Sequence, residues 1–327
     1  MTQARALWTV APGIAELRTE ALPARAPDQV LARMLASGIS RGTERLVLAG
    51  KVPESQWGVM RCPLQAGDFP FPVKYGYSAV ARVMEGPADL QGRRVFCLHP
   101  HQDVFLAPAA MCIPIPDAVP DTRAVLGANM ETALNILWDA GPLPGERALV
   151  IGAGVVGLLV AYLLTRIQAM AVTIIDPDPS RRAIAEKLDL TFASPEAAPT
   201  DQELIIHASA NPAGLRQALQ SAGFEARIIE ASWFGAQEVA LPLGEAFHSR
   251  RLRLISSQVG AVAPAMRGRR SFGERMAQAL SLLADPALEA LIGPATSFDD
   301  LPKALPGLLN PAPGQPAPLC PLVTYGA

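Results

Sequence analysis

The pattern of hydrophobic and polar positions divides the chain into segments of two kinds. In the middle, short apolar runs that predict buried strands alternate with segments of helical periodicity. The predicted strands are residues 148–151, 171–176, 203–209, 225–235 and 251–258, and the predicted helices are 155–167, 180–190 and 211–223. Strands alternating with helices are typical of an α/β fold with a doubly wound parallel sheet. We therefore expect a Rossmann domain over residues 125–262.

The first 124 residues show a different pattern, in which short β-like segments are broken by glycine and proline. These segments are residues 71–86, 92–100, 103–108 and 112–116. They predict an irregular, mostly antiparallel, barrel-like domain. In the last part, residues 263–327, Ser271 and Glu274 have the spacing of a capping box that opens a helix. A second helix over 298–310 and a short final strand from Cys320 are also expected.

Composition narrows the class of protein. The 327 residues are 50% hydrophobic and 18% charged, with a net charge of −2, so bulk charge does not favour a nucleic-acid partner. The four cysteines are scattered without a Cys-x-x-Cys pair, which suits a reducing compartment rather than a disulfide scaffold. The first residues contain no apolar segment typical of a signal peptide. We expect a cytoplasmic protein without a membrane span.

The most apolar run, residues 148–164, contains seventeen residues without a charge. A membrane helix needs about 20 apolar residues, and this run contains Gly152, Gly154 and Gly157 as a Gly-x-Gly-x-x-Gly motif between a strand and a helix. The first glycine permits a tight turn, the second lets backbone approach a pyrophosphate, and the third lets the helix pack closely. The N–H groups of Val155 and Val156 at the helix start would face the phosphates. The motif predicts dinucleotide binding.

The next predicted strand ends in Asp176, whose carboxylate can accept the ribose hydroxyls of adenosine and would repel a 2′-phosphate. This favours NAD(H) over NADP(H). Arg181 follows at the start of a helix. Its side chain either stacks on the adenine or faces solvent in the first helical turn.

An irregular β domain before a nucleotide-binding domain resembles the medium-chain dehydrogenase/reductase superfamily. The resemblance is carried by SGISRGTE (37–44), VKYGYSAVARV (73–83) and NMETALNILWDAGPLPGERALVIGAGVVG (129–157). It implies a GroES-like catalytic domain over 1–124, a Rossmann NAD-binding domain over 125–262, and a return to the catalytic domain over 263–327. It also implies an NAD(P)-dependent alcohol dehydrogenase or reductase that forms a homodimer, most simply through the last strand of the cofactor domain.

The residues depart from the zinc-dependent members of that superfamily. By local register, Ser40, Tyr77 and Ala128 occupy the positions of the three catalytic zinc ligands. Protonated hydroxyls and a methyl group are poor Zn²⁺ ligands, so we expect no metal. One alternative is a local site made by Cys97, His99 and His101, although Pro100 interrupts the extended chain that would place them on one face.

Without a metal, side chains must polarise the oxygen of an alcohol or ketone while a hydride moves to or from the nicotinamide. The candidates are Ser40, Thr43, Tyr77, His99 and His101. His101 is favoured as the acid/base group because an imidazole ordinarily titrates near neutrality. The alternative is that both histidines are structural loop residues. Glu44 is expected to brace the loop.

Other residues are assigned mainly by the resemblance. Thr132 is similar to the position whose hydroxyl meets the nicotinamide end of the cofactor, and Ser209 follows a cofactor-domain strand. His207 is expected to be a core histidine, and Glu131 either reaches the cleft or caps a helix. Exposed arginines could pair with a carboxylate or phosphate on the substrate, or could simply face solvent; these are Arg267, Arg269 and Arg270.

A narrower resemblance links SGISRGTERLVLAGKVP (37–53) and the Gly-Tyr pair at 76–77 to the bacteriochlorophyllide a dehydrogenase branch. It implies NAD-linked oxidation of a secondary hydroxyethyl group on a large ring. The sequence therefore predicts an NAD(H)-dependent, metal-independent oxidoreductase that interconverts a secondary alcohol and a ketone. The alternatives are a quinone or enoyl reductase of the same superfamily and a relative that binds NAD without catalysis.

Overall fold

The computed structural model describes residues 2–312 and 314–326, which form two compact units. Residues 129–275 make one, here called the central unit, and residues up to 128 together with those from 276 onward make the other, the flanking unit. The sequence prediction placed the boundaries after residues 124 and 262. Residues 263–275 are held by the central unit, since Asn135 Oδ1 accepts the Ala263 N–H at 3.0 Å and Arg275 is ion-paired with Glu131.

The secondary structure follows the two patterns of the sequence. The strands of the flanking unit are β1 Gln3–Ala11, β2 Ile14–Ala21, β3 Gln29–Gly38, β4 Ala66–Gly67, β5 Val73–Lys74, β6 Ala79–Glu85, β7 Arg94–Cys97, β8 Val104–Pro108, β9 Ile113–Pro114, β16 Ile292–Ser297 and β17 Cys320–Thr324. Those of the central unit are β10 Arg147–Ile151, β11 Ala171–Ile175, β12 Thr191–Ala193, β13 Gln202–His207, β14 Ala222–Glu230 and β15 Arg253–Ser256.

The α-helices lie between these strands. They are α1 Arg41–Leu48, α2 Asp121–Ala124, α3 Gly127–Ala140, α4 Val155–Leu164, α5 Arg182–Lys187, α6 Pro212–Ser221, α7 Phe272–Leu282 and α8 Leu301–Leu309. Short helical turns occupy Glu54–Gln56, Ala109–Met111, Pro179–Arg181, Pro195–Ala197, Leu243–Phe247 and Pro286–Leu291. The predicted capping box opens α7, because Ser271 Oγ accepts the Glu274 N–H and the Glu274 carboxylate accepts the Ser271 N–H.

Among the described residues, the central unit has a six-stranded parallel sheet in the order β12-β11-β10-β13-β14-β15. This confirms the predicted doubly wound α/β fold. The direction in which successive strands are added changes between β10 and β13. In such sheets, ligands bind beyond the carboxyl ends of the strands at this switch point. The glycine motif follows β10 directly.

The flanking unit is mostly antiparallel, as predicted. One sheet has the order β2-β1-β5-β4 and the other β16-β17-β3-β6-β7-β9, with β8 paired to β3. Within the part of the chain that the structure describes, β16 and β17 are the parallel pair of this unit. Val30, Met34, Val95 and Phe105 are buried in the core of the larger sheet.

The apolar run becomes β10, the glycine turn and α4, and every residue of α4 from Gly157 onward is buried. A helix that is packed on several sides against a parallel sheet is apolar all round. This explains why the sequence of α4 has no polar stripe. No helix in the described ranges has the length and apolarity needed to span a bilayer.

One predicted boundary is wrong. The helix expected over 211–223 ends at Ser221, and the strand expected from residue 225 begins at Ala222. A Cβ on Gly223 would lie 2.8 Å from Asp201 Oδ1. Gly223 therefore permits a close approach to the chain before β13, whereas the sequence analysis took it as the end of the helix.

Candidate functional site

The glycine loop has the geometry of a phosphate cradle. Gly152 has a φ of +106°, and its N–H donates to the Ile175 carbonyl at 2.9 Å. A Cβ on Gly157 would collide with the Gly152 carbonyl oxygen, so α4 can pack this closely only with glycine there. A Cβ on Gly154 would meet no protein atom within 4 Å. The loop is therefore tight on its inner side and open at the second glycine.

The start of α4 faces this opening. Gly154 is exposed and is the N-cap of the helix, with Val155 and Val156 half-buried in the first turn. The first N–H groups of a helix lack partners within it, and the helix dipole adds positive potential there. These features fit the pyrophosphate of a dinucleotide.

Asp176 lies at the end of β11 and joins the loop to that strand. One carboxylate oxygen accepts the Ala153 N–H at 2.7 Å, and the other accepts the Asp178 N–H at 2.9 Å. Each carboxylate oxygen has a second lone pair, so Asp176 can still accept a ribose hydroxyl. Arg181 is 7% exposed and is ion-paired with Asp178 at 3.3 Å. Arg181 is therefore not exposed to solvent, in contrast to the second of the two arrangements that the sequence analysis considered for it.

Two further predicted cofactor residues lie in the central unit. Thr132 is half-buried on α3. Ser209 is exposed two residues beyond β13, and a Cβ on Gly152 would lie 3.0 Å from its Cα. The absence of a side chain at Gly152 is what lets the strand ends of β10 and β13 approach each other. Thr132 and Ser209 remain predictions as cofactor contacts.

In the flanking unit, three of the predicted catalytic hydroxyls lie together, and we call Ser40, Thr43 and Tyr77 the hydroxyl cluster. Ser40 precedes α1, Thr43 is in its first turn, and Tyr77 lies just before β6. The side chains of Ser40 and Thr43 lie near the Tyr77 hydroxyl, and each lowers its pKa. Burial raises the pKa of Tyr77, with a further contribution from the charge of Glu44. The phenol is therefore protonated at neutral pH.

A buried polar chain lies beside the hydroxyl cluster. Glu44 Oε1 accepts the Ser40 N–H at 2.7 Å, which confirms that Glu44 braces this loop. Glu44 Oε2 lies 3.2 Å from His101 Nε2, and His101 Nδ1 lies 2.7 Å from Ser37 Oγ. Ser37 Oγ is also 2.8 Å from the Tyr325 hydroxyl. A small cavity next to this chain is lined by Leu7, Thr9, Glu44, Val47, Leu48, Tyr75, His101 and Leu305.

These contacts change how His101 would act. The side chain is 1% exposed and both ring nitrogens have protein partners. A group that transfers a proton directly must reach the reacting oxygen within hydrogen-bonding distance. The geometry therefore favours an indirect role, in which His101 holds Glu44 and through it the loop of Ser40. Its catalytic assignment remains a prediction.

His99 is separate from the hydroxyl cluster. Its ring stacks on Phe105 with centroids 4.0 Å apart, and Nδ1 bonds the Pro100 carbonyl at 2.9 Å. Burial lowers the pKa of His99 to about 3, so the ring is neutral at physiological pH. Its packing matches the structural alternative of the sequence analysis.

The alternative metal site does not assemble from these residues. Cys97 is buried in the core of the larger sheet, His99 is hydrogen-bonded to Pro100, and His101 to Ser37 and Glu44. Across residues 2–312 and 314–326, no group of three or more His, Cys, Asp or Glu side chains could hold a metal ion. The positions that the sequence analysis aligned with zinc ligands hold the protonated hydroxyls of Ser40 and Tyr77 and the methyl of Ala128. This donor set does not fit Zn²⁺.

The sequence analysis also considered Glu131 and three arginines as candidate site residues. Glu131 bonds Arg275 at 3.0 Å, and Arg275 also donates to Asn135 Oδ1 at 2.6 Å, with both ionic side chains almost fully buried. Glu131 is therefore a partner in a buried ion pair and not a helix cap. Arg267, Arg269 and Arg270 are exposed, which agrees with both alternatives of the sequence analysis.

Solved structures share the fold of this chain. The chain matches the structure of a zinc-binding dehydrogenase from Sinorhizobium meliloti 1021 bound to NADP, with a TM-score of 0.79 and 18% identity over 99% of this chain and 100% of the other. An alcohol dehydrogenase from Escherichia coli CFT073 in complex with NADH gives a TM-score of 0.79 and 17% identity over the same shares. These structures confirm the fold that the resemblance implied.

Sequence comparison gives local similarity. An L-threonine 3-dehydrogenase of Rhizobium rhizogenes is 38% identical over 87 residues, which are 25% of this chain and 24% of that protein. The aligned segment thus spans about a quarter of this curated relative. No family model matches the chain. The narrower resemblance to the bacteriochlorophyllide a dehydrogenase branch stays a prediction.

Sequence reasoning missed several members of the site. Ser37 contacts His101 across 64 positions of the chain and Tyr325 contacts Ser37 across 288, and no local motif signals either contact. Glu230 bonds His207 at 2.7 Å. His207 and Glu230 end the paired strands β13 and β14, whereas the predicted strands continued to Ser209 and Gly235, so the sequence did not bring the two residues together.

Proposed function

We propose that this protein is an NAD(H)-linked dehydrogenase that interconverts a secondary alcohol and a ketone. The observation that carries the proposal is the glycine loop with Asp176 at the switch point of the parallel sheet. It occurs in a chain that shares its fold with structures binding NADP and NADH. When bound, the nicotinamide supplies or accepts the hydride.

The hydroxyl cluster provides the proton chemistry. In the direction of ketone reduction, the Tyr77 hydroxyl donates a hydrogen bond and then a proton to the substrate oxygen. Ser40 and Thr43 lie near the phenol and lower its pKa, and the proposal assigns to them the role of orienting it. The raised pKa of Tyr77 keeps this proton in place at neutral pH. The proposal thus assigns to Tyr77 the polarising role that a metal has in zinc enzymes.

The preference for NAD(H) rests on Asp176. A carboxylate at the end of β11 can accept a ribose hydroxyl and repels a 2′-phosphate. Arg181, the nearest candidate to pair with such a phosphate, is already ion-paired with Asp178. Since one of the structural neighbours binds NADP, this preference is part of the proposal.

The experiment is a fluorescence titration of the purified protein with NADH and NADPH, combined with metal analysis and a panel of secondary alcohols and ketones. We expect NADH to bind at least ~10-fold more tightly than NADPH, turnover of a ketone, and far less than one zinc per chain. Binding of neither cofactor overturns the proposal. A preference for NADPH with turnover of quinones or enones would replace it by the second enzyme alternative.

We also propose that the protein is a homodimer. In the described sheet order β15 is an edge strand, and Leu254 on it is 39% exposed. Unpaired edge strands readily pair with another chain. Light scattering should give about twice the mass of one chain, and a monomeric mass would contradict the proposal.

A further inference from the structure

A second group of polar side chains lies at the carboxyl ends of β13 and β14. Ser209 Oγ is 2.7 Å from His207 Nε2, and His207 Nδ1 is 2.7 Å from Glu230 Oε2. His207 and Glu230 are directly paired across the two parallel strands, so the sheet register itself brings them together. Hydroxyl, imidazole and carboxylate thus form one linear chain in the order of a Ser-His-acid triad.

The imidazole of this chain is held rigidly. His207 is fully buried, and Phe234 stacks on its ring with centroids 5.9 Å apart. Glu230 is fixed by accepting the Ser232 N–H at 2.7 Å with its other oxygen. A carboxylate on Nδ1 favours the tautomer with hydrogen on that nitrogen. His207 Nε2 is then free to accept the proton of the Ser209 hydroxyl.

Ser209, in contrast, is exposed. It lies beside the start of α6, where the Asn211 N–H donates to its Oγ at 3.3 Å. A Cβ on Gly214 would lie 2.6 Å from Ser209 Oγ, so only a glycine leaves this hydroxyl accessible there. Helix N-termini direct N–H groups and positive potential outward. Because Pro212 has no N–H and the Ala213 N–H donates to Asn211 Oδ1, the contribution of α6 next to Ser209 is the positive potential of its dipole.

We propose that Ser209 is a nucleophile for acyl transfer from activated esters, with His207 as its base and Glu230 orienting His207. Ser209 Oγ attacks the acyl carbon while its proton moves to His207 Nε2. The ester C–O bond breaks, and the leaving alcohol takes that proton. Water then hydrolyses the acyl-serine with His207 again as base, which restores the free hydroxyl. This activity goes beyond the dehydrogenase reaction and requires no nicotinamide cofactor.

The test uses the whole protein without added cofactor. Incubation with a fluorophosphonate probe should add one label per chain, and peptide mapping should place it on Ser209. The protein should also hydrolyse p-nitrophenyl acetate. Ser209→Ala should abolish both signals, whereas Ser249→Ala, at an exposed serine of the same unit, should leave both unchanged.

Two variants test whether the buried pair activates the serine. His207→Gln and the more conservative Glu230→Gln should each slow labelling at least ~100-fold, the usual scale of a positioned acid–base group, with thermal unfolding measured in parallel. Absence of a label on Ser209 in the native protein overturns the proposal. Labelling of a folded Glu230→Gln variant at the native rate also overturns the proposal. NADH titration of the native protein reports separately on the dehydrogenase proposal.

Discussion

The glycine loop of the central unit and the hydroxyl cluster of the flanking unit are built in opposite ways. The loop offers backbone groups, and its function depends on side chains being absent at Gly152, Gly154 and Gly157. The hydroxyl cluster offers side-chain groups, with Ser40 and Thr43 near the Tyr77 hydroxyl. At Gly157 in the loop, the same backbone packing determines both the fold and cofactor binding. In the hydroxyl cluster, a reactive hydroxyl can be removed while the packing is kept.

This difference predicts how each region responds to substitution. A change on the inner side of the loop alters both folding and cofactor binding, because the backbone itself is displaced. Removal of the Tyr77 hydroxyl from the cluster alters the chemistry alone, because the aromatic ring that carries it still packs. The following substitutions separate these two types of response.

The largest effect is expected for Gly157→Val. A side chain there meets the Gly152 carbonyl, and the helix must move away from β10. We expect a loss of about 3 kcal/mol in the free energy of unfolding, together with loss of detectable NADH binding. Urea denaturation and fluorescence titration measure the two. Native stability in this variant would show that the close packing at Gly157 is not required.

Tyr77→Phe should lower the turnover number about 100-fold, with the affinity for NADH and the thermal unfolding temperature nearly unchanged. The matched control is Tyr75→Phe, since Tyr75 is the neighbouring buried tyrosine and its hydroxyl lies 3.4 Å from the Met60 carbonyl. Steady-state kinetics on a ketone identified in the panel provide the measurement. Equal turnover in the two variants would remove Tyr77 from the mechanism.

Gly154→Ser separates binding from folding within the loop. Gly154 has an ordinary φ of −75° and open space beside it, and serine is a good N-cap residue. The variant should fold with native stability, yet its side chain should occupy the approach of the pyrophosphate. We expect NADH affinity to fall about 10-fold, or ~1.4 kcal/mol. Calorimetric titration tests this, and unchanged affinity would place the phosphates elsewhere.

The smallest effect at neutral pH concerns His99. Burial lowers its pKa to about 3, while in the unfolded chain a histidine titrates near 6.5. Between these values the unfolded state binds the extra proton, so stability contributed by neutral His99 is lost as the pH falls through this window. In His99→Phe, the free energy of unfolding should fall less steeply as the pH decreases, by at most about 1.4 kcal/mol per pH unit. Substitution of the exposed His248 by Gln should leave the slope unchanged.

The same contrast explains what the sequence could predict. The parallel sheet, the glycine loop and Asp176 were predictable because a strand, a turn and a helix that follow each other in the chain define the loop. The capping box at Ser271 and Glu274 was predictable for the same reason. Each of these features depends on contacts within a short stretch.

The flanking unit was less predictable because its polar chain depends on pairing between distant strands. His101 contacts Glu44 57 positions away, and Ser37 contacts Tyr325 near the other end of the chain. Sequence reasoning chose His101 for its ordinary titration range. Its burial and its two protein partners follow only from the antiparallel packing that encloses it.

The account as a whole rests on ketone reduction that is driven by NADH and assisted by side-chain hydroxyls. The most direct test is the rate of NADH oxidation with a ketone from the panel, measured before and after exhaustive treatment with a strong zinc chelator. We predict the same rate in both samples, and the same low rate for Tyr77→Phe in both. A loss of activity on chelation that added Zn²⁺ restores would contradict the account.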